Sequence, residues 1–266
     1  MLKKPAFVLL LLAYVFFAFH VVSADDTVAA KDVLYKDSDM TLEGFVVYDT
    51  AKTGKLPGII IVHEWNGLGD YVKGRAKQLA KMGYQVFCAD IYGKGIRPKD
   101  REESGRQASM YRADRNLMRS RLNAALHAFK KMNVADNSKI AVMGYCFGGG
   151  AALELARSGA DVLGAVSFHG NLDTPMPAKK GELKAKILVL HGADDKGITK
   201  ENIEAFYEEM RAAGAHWQMN SYGNAVHGFT NPDNGSNTSN VAYNKEADTR
   251  SWEAMSGFFR EIFEKK

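Results

Sequence analysis

Ile140-Ala141-Val142-Met143-Gly144-Tyr145-Cys146-Phe147-Gly148-Gly149 joins a short apolar run to an Ala-rich segment, residues 151–156. The apolar run predicts a buried strand, the glycines a turn too tight for side chains, and the Ala-rich segment a helix. An exposed nucleophile works in this setting of strand, sharp turn and helix. The helix amino terminus would favour a thiolate at Cys146, and the amide of Phe147 would face a developing oxyanion. The motif alone is equally typical of a closely packed glycine turn that happens to contain a cysteine.

Strands and helices alternate outward from this turn in both directions. Apolar and β-branched runs predict strands at residues 33–48, 59–62, 84–89, 139–143, 162–168, 187–190 and 216–221. Apolar residues at helical spacing predict a helix capped by Asp70, one long helix from Met110 to Phe129, and helices at 151–156, 202–213 and 249–263. The alternation predicts an α/β fold with a mostly parallel central sheet and helices on both faces. Its ligand site is expected at the carboxyl ends of the strands.

Two further segments with reactive side chains follow predicted strands later in the chain. Asp194-Asp195 comes after strand 187–190, where an acidic residue is also a common turn former. His227 follows strand 216–221, in a loop where a solvated histidine is the ordinary alternative. The order along the chain is nucleophile, acid, base, as in triads built on a sheet of this kind. The three positions predict that Cys146, an aspartate and His227 meet at the strand ends.

The loop after strand 59–62 carries a fourth feature, His63-Glu64-Trp65-Asn66-Gly67. In a sheet of this kind the loop supplies a second amide to the oxyanion, which here belongs to Trp65. Glu64 would lie near the nucleophile, where a carboxylate could accept the thiol proton or hold it in a resting state. The alternative is a glutamate solvated in a surface loop.

Residues 1–24 predict a secretory signal peptide. Lys3-Lys4 form a positive region, residues 6–22 are almost wholly apolar, and Val22-Ser23-Ala24 offers a cleavage site. A retained membrane anchor is the alternative, because the apolar run is about long enough to span a bilayer as a helix. Either form predicts an exported protein, periplasmic or secreted, with residues 25–266 as a single folded domain.

Charge and cysteine content exclude some classes of function. The formal charge of +4 falls to near +2 without Lys3 and Lys4, and the sequence has no basic stripe of the kind that binds nucleic acid. The chain has two cysteines. Cys88 lies in the predicted strand 84–89 and is interpreted as a buried apolar side chain, although an exported protein could also pair it with Cys146.

Five motifs together resemble the dienelactone hydrolase family from about residue 40 to the carboxyl end. They are His63-Glu64-Trp65, Asp90-Ile91-Tyr92-Gly93, Gly144-Tyr145-Cys146-Phe147-Gly148-Gly149, Gly192-Ala193-Asp194-Asp195 and Val226-His227-Gly228-Phe229. The resemblance implies an α/β-hydrolase fold and a Cys-His-Asp triad of Cys146, His227 and Asp195. Asp195 is preferred to Asp194 because the family spaces its aspartate three residues after a glycine, as from Gly192 to Asp195. The resemblance also implies that Glu64 partners the nucleophilic thiol until substrate displaces it.

The chain departs from this family where the substrate carboxylate is bound. Members that cleave dienelactone use two arginines; the first position is Lys94 here, and the second falls in Thr230-Asn231-Pro232. Lysine attracts an anion without the bidentate fork of arginine, and Arg97 could stand in for it. These departures argue against dienelactone itself as the substrate. The resemblance predicts four substrate contacts, namely Tyr92, Lys94, Tyr145 and Phe229.

Taken together, these features predict a hydrolase of small-molecule carboxylic esters, lactones or thioesters that works through an acyl-enzyme on Cys146. A thiolate is a good leaving group, so reactive acyl donors are expected rather than amides. His63, His169 and His191 stand at strand ends without metal-ligand spacing, so no metal or other cofactor is predicted. One alternative is a binding module that has kept the fold without catalysis. The other is a thiol redox protein using Cys146, although the chain has no Cys-x-x-Cys pair.

Overall fold

The computed structural model describes residues 27–235 and 240–264 of the chain. The predicted signal peptide, residues 1–24, and its membrane-anchor alternative lie outside these ranges, so export stays a prediction. Within them, no helix is long and apolar enough to cross a membrane.

Eight strands form one sheet in the order β1-β2-β4-β3-β5-β6-β7-β8. The strands are β1 (Val28–Asp37), β2 (Met40–Asp49), β3 (Leu56–Val62), β4 (Gln85–Ala89), β5 (Ala135–Tyr145), β6 (Gly164–Phe168), β7 (Lys186–Gly192) and β8 (Trp217–Tyr222). β1 and β2 pair antiparallel, β2 runs antiparallel to β4, and the six strands from β4 to β8 in the sheet order are parallel. The predicted mostly parallel sheet is therefore confirmed.

Six helices cover the two faces of this sheet. They are α1 (Asp70–Lys81), α2 (Arg101–Ala113), α3 (Arg115–Met132), α4 (Phe147–Arg157), α5 (Lys200–Ala213) and α6 (Lys245–Phe263). α1 and α6 pack on one face, where Leu79 and Phe259 are fully buried. α2 to α5 pack on the other, around Leu122 and Phe206. Strands covered on both faces must be apolar on both sides, which explains the continuous β-branched run at residues 59–62.

The single long helix expected through Met110 and Phe129 is wrong, because the chain forms two helices that meet at Asp114. The backbone of Asp114 leaves helical geometry, at φ −114° and ψ 88°. Its amide donates to the carbonyl of Met110 and closes α2, while its carboxylate accepts from the amide of Leu117 at 2.9 Å and begins α3. One capping residue thus ends one helix and starts the next, which apolar spacing alone does not show.

The expected capping role of Asp70 is also wrong. α1 begins at Asp70 itself, and Gly69 precedes it in extended conformation with no side-chain cap. Asp70 lies in the first turn, where its negative charge favours the helix amino terminus without capping it.

Candidate active site

Cys146 occupies the turn between β5 and α4, one residue after the strand ends and one before the helix begins. Its backbone has φ 54° and ψ −116°, a conformation that strains a residue with a side chain. The flanking glycines allow close approach: a Cβ on Gly144 would collide with the carbonyl of Gly148, and one on Gly148 with the carbonyl of Val62. The turn therefore projects Cys146 from the carboxyl edge of the sheet.

Cys146, His227 and Asp195 form a continuous series of contacts. His227 Nε2 lies 3.0 Å from Cys146 Sγ, and His227 Nδ1 lies 2.8 Å from Asp195 Oδ2. The second oxygen of Asp195 accepts from the side-chain amide of Asn240 at 3.0 Å and from the backbone amide of Gly197 at 2.8 Å. The structure thus brings together three residues that the sequence distributes over the ends of three different strands.

Charge within this series shifts the pKa values of its members. Burial raises the pKa of Asp195, but the hydrogen bond and charge of His227 outweigh burial, and the net pKa lies below its usual value. Burial lowers the pKa of His227, while the charge of Cys146 and the hydrogen bonds with Asp195 and Cys146 raise it to about 10. A protonated imidazole beside the sulfur suits a thiolate–imidazolium pair.

A cavity of about 490 Å³ opens beside the sulfur of Cys146. Glu64 and Trp65 line it from the loop after β3, and His227 and Asn231 line it from the loop after β8. Parallel strands place their carboxyl ends at one edge of the sheet, which is why loops distant in sequence share this cavity.

Glu64 faces the same cavity but contacts a different partner from the one expected. Its Oε2 accepts a hydrogen bond from Asn231 Nδ2 at 3.2 Å. Burial raises the pKa of Glu64, and the hydrogen bond from Asn231 opposes that rise. In the part of the chain that the structure describes, Cys146 Sγ pairs with His227 and not with Glu64. The expected resting contact between Glu64 and the thiol is therefore absent from this conformation.

The profile of the dienelactone hydrolase family matches residues 42–263. The chain belongs to the dienelactone hydrolase family. Among solved structures, the dienelactone hydrolase-like promiscuous phosphotriesterase P91 from metagenomic libraries is 38% identical, with a TM-score of 0.85. That match covers 90% of this chain and 100% of P91.

Two further proteins are similar to this chain in sequence or in fold. An uncharacterized protein of Caenorhabditis elegans is 41% identical over 156 residues, which are 57% of this chain and 98% of that protein. The dienelactone hydrolase of Anabaena variabilis is 20% identical with a TM-score of 0.67, covering 90% of this chain and 100% of its own, and shows the fold alone. The predicted α/β-hydrolase fold and the predicted hydrolase of the dienelactone hydrolase type are thus confirmed.

The four substrate contacts expected from the dienelactone hydrolase resemblance do not line the cavity. Tyr145 is fully buried and stacks on Phe168 at 4.7 Å, beneath the nucleophile turn. Phe229 is also fully buried. The hydroxyl of Tyr92 donates to the carbonyl of Trp65 at 2.9 Å, so Tyr92 supports the cavity wall from behind. Lys94 is exposed outside the cavity. None of the four residues lines the cavity beside Cys146, and their contact with substrate stays a prediction.

Two arginines that the sequence analysis missed line the cavity instead. The guanidinium of Arg101 lies 5.5 Å from the Trp65 ring centre, and that of Arg112 lies 5.9 Å from the Phe147 ring centre. Both residues belong to α2, where a spacing of eleven residues is about three turns and places them on one face. Arg97, the expected substitute, pairs with Glu43 and Asp90 outside the cavity. Their spacing on one helix is the sequence signal that could have indicated them.

The two amides expected to receive an oxyanion belong to segments that the structure holds firmly. Phe147 is the first residue of α4, directly after the nucleophile. Beside Trp65, the ring of His63 contacts the carbonyl of Glu64 at 2.6 Å and accepts from the amide of Ile91 at 3.2 Å. His63 therefore fixes the loop after β3 to the end of β4.

The two cysteines are both free. Cys88 is fully buried in β4, and burial raises the pKa of its thiol. Within residues 27–235 and 240–264, no group of three or more histidine, cysteine or acidic side chains is arranged to hold a metal ion. His63 and His169 each engage both ring nitrogens in hydrogen bonds within the protein.

Proposed function

We propose that this dienelactone hydrolase family member cleaves carboxylic esters or lactones through a covalent acyl-enzyme on Cys146. The observation that carries this proposal is the 3.0 Å contact between Cys146 Sγ and His227 Nε2 at the edge of a cavity. A nucleophile touching a base, itself oriented by Asp195, is the arrangement that activates a thiol for acyl transfer.

The first step forms the acyl-enzyme. The thiol proton resides on His227, the sulfur attacks the carbonyl carbon, and the carbonyl electron pair moves to oxygen. The amides of Phe147 and Trp65 stabilise that oxyanion. When the carbonyl re-forms, the bond to the leaving oxygen breaks, and the imidazolium of His227 gives its proton to the departing alkoxide.

The second step returns the enzyme to its starting state. His227 removes a proton from water, the resulting hydroxide attacks the thioester carbon, and the carbon–sulfur bond breaks to release the acid. The sulfur leaves as a thiolate beside protonated His227, the same pair with which the cycle began. Asp195 accepts from His227 Nδ1 throughout, so it keeps Nε2 directed at the sulfur and stabilises the imidazolium.

Arg101 and Arg112 line the cavity together with the acidic residues Glu64, Asp70 and Asp233, and the two arginines offer a place for an anionic group of the substrate. In the described ranges, neither Arg101 nor Arg112 has a carboxylate within ion-pair distance, whereas Arg75 and Arg97 do. Both cavity arginines therefore keep their guanidinium donors for a ligand, and arginine binds carboxylates in bidentate fashion. We propose that an ester or lactone with a carboxylate a few bonds from the scissile carbonyl binds more tightly than its neutral analogue.

A panel of aryl esters, lactones and thioesters tests the reaction. Wild-type protein is compared with Cys146→Ala, Cys146→Ser and His227→Ala, and the mass of the intact protein is recorded during turnover. We expect an acyl adduct on Cys146 in the wild type and loss of hydrolysis in the Ala variants. Hydrolysis that survives Cys146→Ala would refute the thiol mechanism. A wild-type protein that binds but does not cleave the panel would instead favour the binding module.

Paired substrates test the anion preference. Matched esters that differ by one carboxylate are assayed with Arg101→Ala, Arg112→Ala and the double variant. We expect KM for the anionic ester to rise about tenfold in the double variant, with the neutral ester unaffected. An equal effect on both esters would contradict carboxylate recognition.

A phosphotriester is a second candidate substrate, because P91 is named a promiscuous phosphotriesterase and shares 38% identity with this chain. The same sulfur could attack a tetrahedral phosphorus and displace an aryl oxide. An aryl phosphotriester tested beside the ester panel decides the point. Redox use of Cys146 has less support, since Cys88, the second cysteine of the chain, is fully buried away from the cavity.

A further inference from the structure

A buried series of hydrogen bonds joins the nucleophile turn to the loop that carries His227. His169 follows β6, and its Nδ1 lies 3.2 Å from the amide nitrogen of Cys146. Its Nε2 lies 2.8 Å from Thr230 Oγ1, three residues after His227. Both His169 and Thr230 are at most 1% exposed and neither lines the cavity. One imidazole therefore spans the residues that carry the sulfur and the base.

The series continues through Tyr71, which lines the cavity, to α1 and α6. Thr230 Oγ1 lies 2.6 Å from the hydroxyl of Tyr71, which accepts from Arg75 Nε at 3.3 Å. Arg75 Nη2 also donates to the carbonyl of Thr230 at 2.7 Å and to Asp248 Oδ1 at 2.5 Å. The guanidinium lies 5.1 Å from the Trp252 ring centre. Arg75 thus fixes the loop after β8 against helices on one face of the sheet.

The donors and acceptors determine the protonation state of His169. The amide of Cys146 is a donor, so Nδ1 of His169 accepts, and the proton of a neutral ring lies on Nε2. Burial lowers the pKa of His169 well below its usual value, and the charge of His227 lowers it further. The two rings are 5.3 Å apart. A neutral His169 avoids the repulsion that a second imidazolium would exert on His227.

The amide of Cys146 has two acceptors. It is shared between the carbonyl of Phe168 at 3.0 Å and the ring of His169. This amide belongs to the residue with the strained backbone, so the contact acts on the angle at which Sγ leaves the turn. The loop of His227 is held through Thr230 by the same ring.

We propose that His169 is a positioning residue for acyl transfer, which keeps Cys146 and His227 in reacting geometry through Thr230, Tyr71, Arg75 and Asp248. This inference deepens the proposed function and depends on it. His169 and Thr230 lie behind the reacting atoms and off the cavity wall, so loss of their contact is expected to lower kcat and leave KM unchanged. Misplacement of a nucleophile and its base by less than an ångström costs rate without touching the cavity.

The test compares Thr230→Val with Thr230→Ser. Valine keeps the shape and removes the hydroxyl, while serine keeps the hydroxyl. We expect Thr230→Val to lower kcat for an aryl ester about tenfold at unchanged KM and to reduce the thiolate absorbance of Cys146. Thr230→Ser is expected to restore both. Gln78→Ala serves as a control, because Gln78 accepts from Arg75 outside the series.

Two results would overturn the proposal. The first is a Thr230→Val variant with the kcat and the thiolate absorbance of the wild type. The second is a Thr230→Val variant that has a lower melting temperature and a raised KM but keeps the wild-type kcat. If Thr230→Val does not fold, Asp248→Asn at the far end of the series is judged by the same criteria. Thiolate absorbance and the rate of Cys146 alkylation need no ester turnover. They therefore report on the positioning of Cys146 even if the proposed hydrolysis fails.

Discussion

Helix α4 carries a buried polar region at each end, and the two regions differ in what surrounds them. At its start, Cys146 contacts His227 beside the cavity. Two turns later, the Glu154 side chain is 2% exposed and faces three guanidinium groups. This second region, the ion-pair cluster, consists of Glu154, Glu209, Arg115, Arg119 and Arg157. Both regions are built from titratable groups, but the central carboxylate of the second, Glu154, faces guanidinium groups, whereas Cys146 faces a cavity.

Two buried glutamates make the contrast specific. Glu154 lies 2.8 Å from Arg119, 3.1 Å from Arg157 and 3.7 Å from Arg115. Glu64 has a single amide partner at 3.2 Å, and burial raises its pKa. A buried charge that is fully compensated stabilises or specifies the fold, whereas one left partly compensated beside a cavity is available to a substrate. The number of charged partners, more than burial itself, distinguishes a glutamate that stabilises the fold from one that is available to a substrate.

Of all the substitutions considered, Asp195→Asn should have the largest effect, and the effect should be on kcat. An amide in place of the carboxylate can hold the wrong tautomer of His227 and cannot stabilise its positive charge. We expect kcat to fall about a thousandfold or more, roughly 4 kcal/mol of transition-state stabilisation. Steady-state kinetics on an aryl ester measure it, with circular dichroism as the control for folding. Activity within tenfold of the wild type would show that Asp195 does not orient His227.

Glu154→Gln should have the converse effect, on stability and not on rate. Removing the central charge leaves two buried guanidinium groups, of Arg115 and Arg157, and the partly buried one of Arg119 without their shared partner. Breaking a buried pair of this kind costs about 3 kcal/mol of unfolding free energy. Urea denaturation measures the loss, and kcat of the folded fraction should stay at the wild-type value.

The exposed pair Arg106–Glu102 supplies the matched control, because its side chains are 61% and 83% exposed. Glu102→Gln should change stability by no more than about 0.5 kcal/mol. Equal losses from Glu102→Gln and Glu154→Gln would mean that burial does not set the strength of the cluster.

Sequence reasoning reaches the contacts of Cys146 at the start of α4 because their geometry is local. Glycines on both sides of Cys146 reveal the turn, and the order of Cys146, Asp195 and His227 follows the order of parallel strands. Each of these three residues follows a strand that the sequence predicts. The mostly parallel sheet is predictable for the same reason, since β-branched runs such as residues 59–62 indicate burial on both faces.

The same reasoning misses features that depend on packing between distant elements. Arg101 and Arg112 line the cavity from α2, and apolar periodicity hides the break at Asp114 that separates α2 from α3. Tyr145 and Phe229 stand beside catalytic residues in sequence, yet alternation along the strand and the turn of the loop bury them behind the site. Proximity in sequence to a reacting residue is thus a poor guide to substrate contact.

Glu64→Gln should sharpen the comparison of the two glutamates, because it should change how the free energy of unfolding depends on pH. The pKa of Glu64 is raised on folding, so the folded protein binds more protons than the unfolded chain above the ordinary pKa of a glutamate. Wild-type stability is therefore lost as pH rises from about 4.5 to the folded pKa, by about 1.4 kcal/mol per pH unit for this group. The Gln variant has no such slope and keeps an oxygen for Asn231.

Urea denaturation of both proteins between acid and neutral pH measures this difference. The stability of Glu64→Gln relative to the wild type should increase with pH and then become constant. Two parallel curves would show that Glu64 ionises as easily in the folded protein as in the unfolded chain.

Cys88→Ala should have a small effect on stability and none on rate, and it extends the comparison to the two thiols. Cys88 is fully buried in β4, where burial raises the pKa of its thiol, so it should be inert in the folded protein. Its substitution should cost about 1 kcal/mol of unfolding free energy through lost packing and leave kcat unchanged. Alkylation followed by mass spectrometry should modify Cys146 in the folded wild type and in Cys88→Ala, and should leave Cys88 unmodified in the folded wild type and in folded Cys146→Ala. Rapid modification of Cys88 in the folded protein would mean that β4 opens. In that case, burial could not be the reason that only one end of this sheet carries a reactive sulfur.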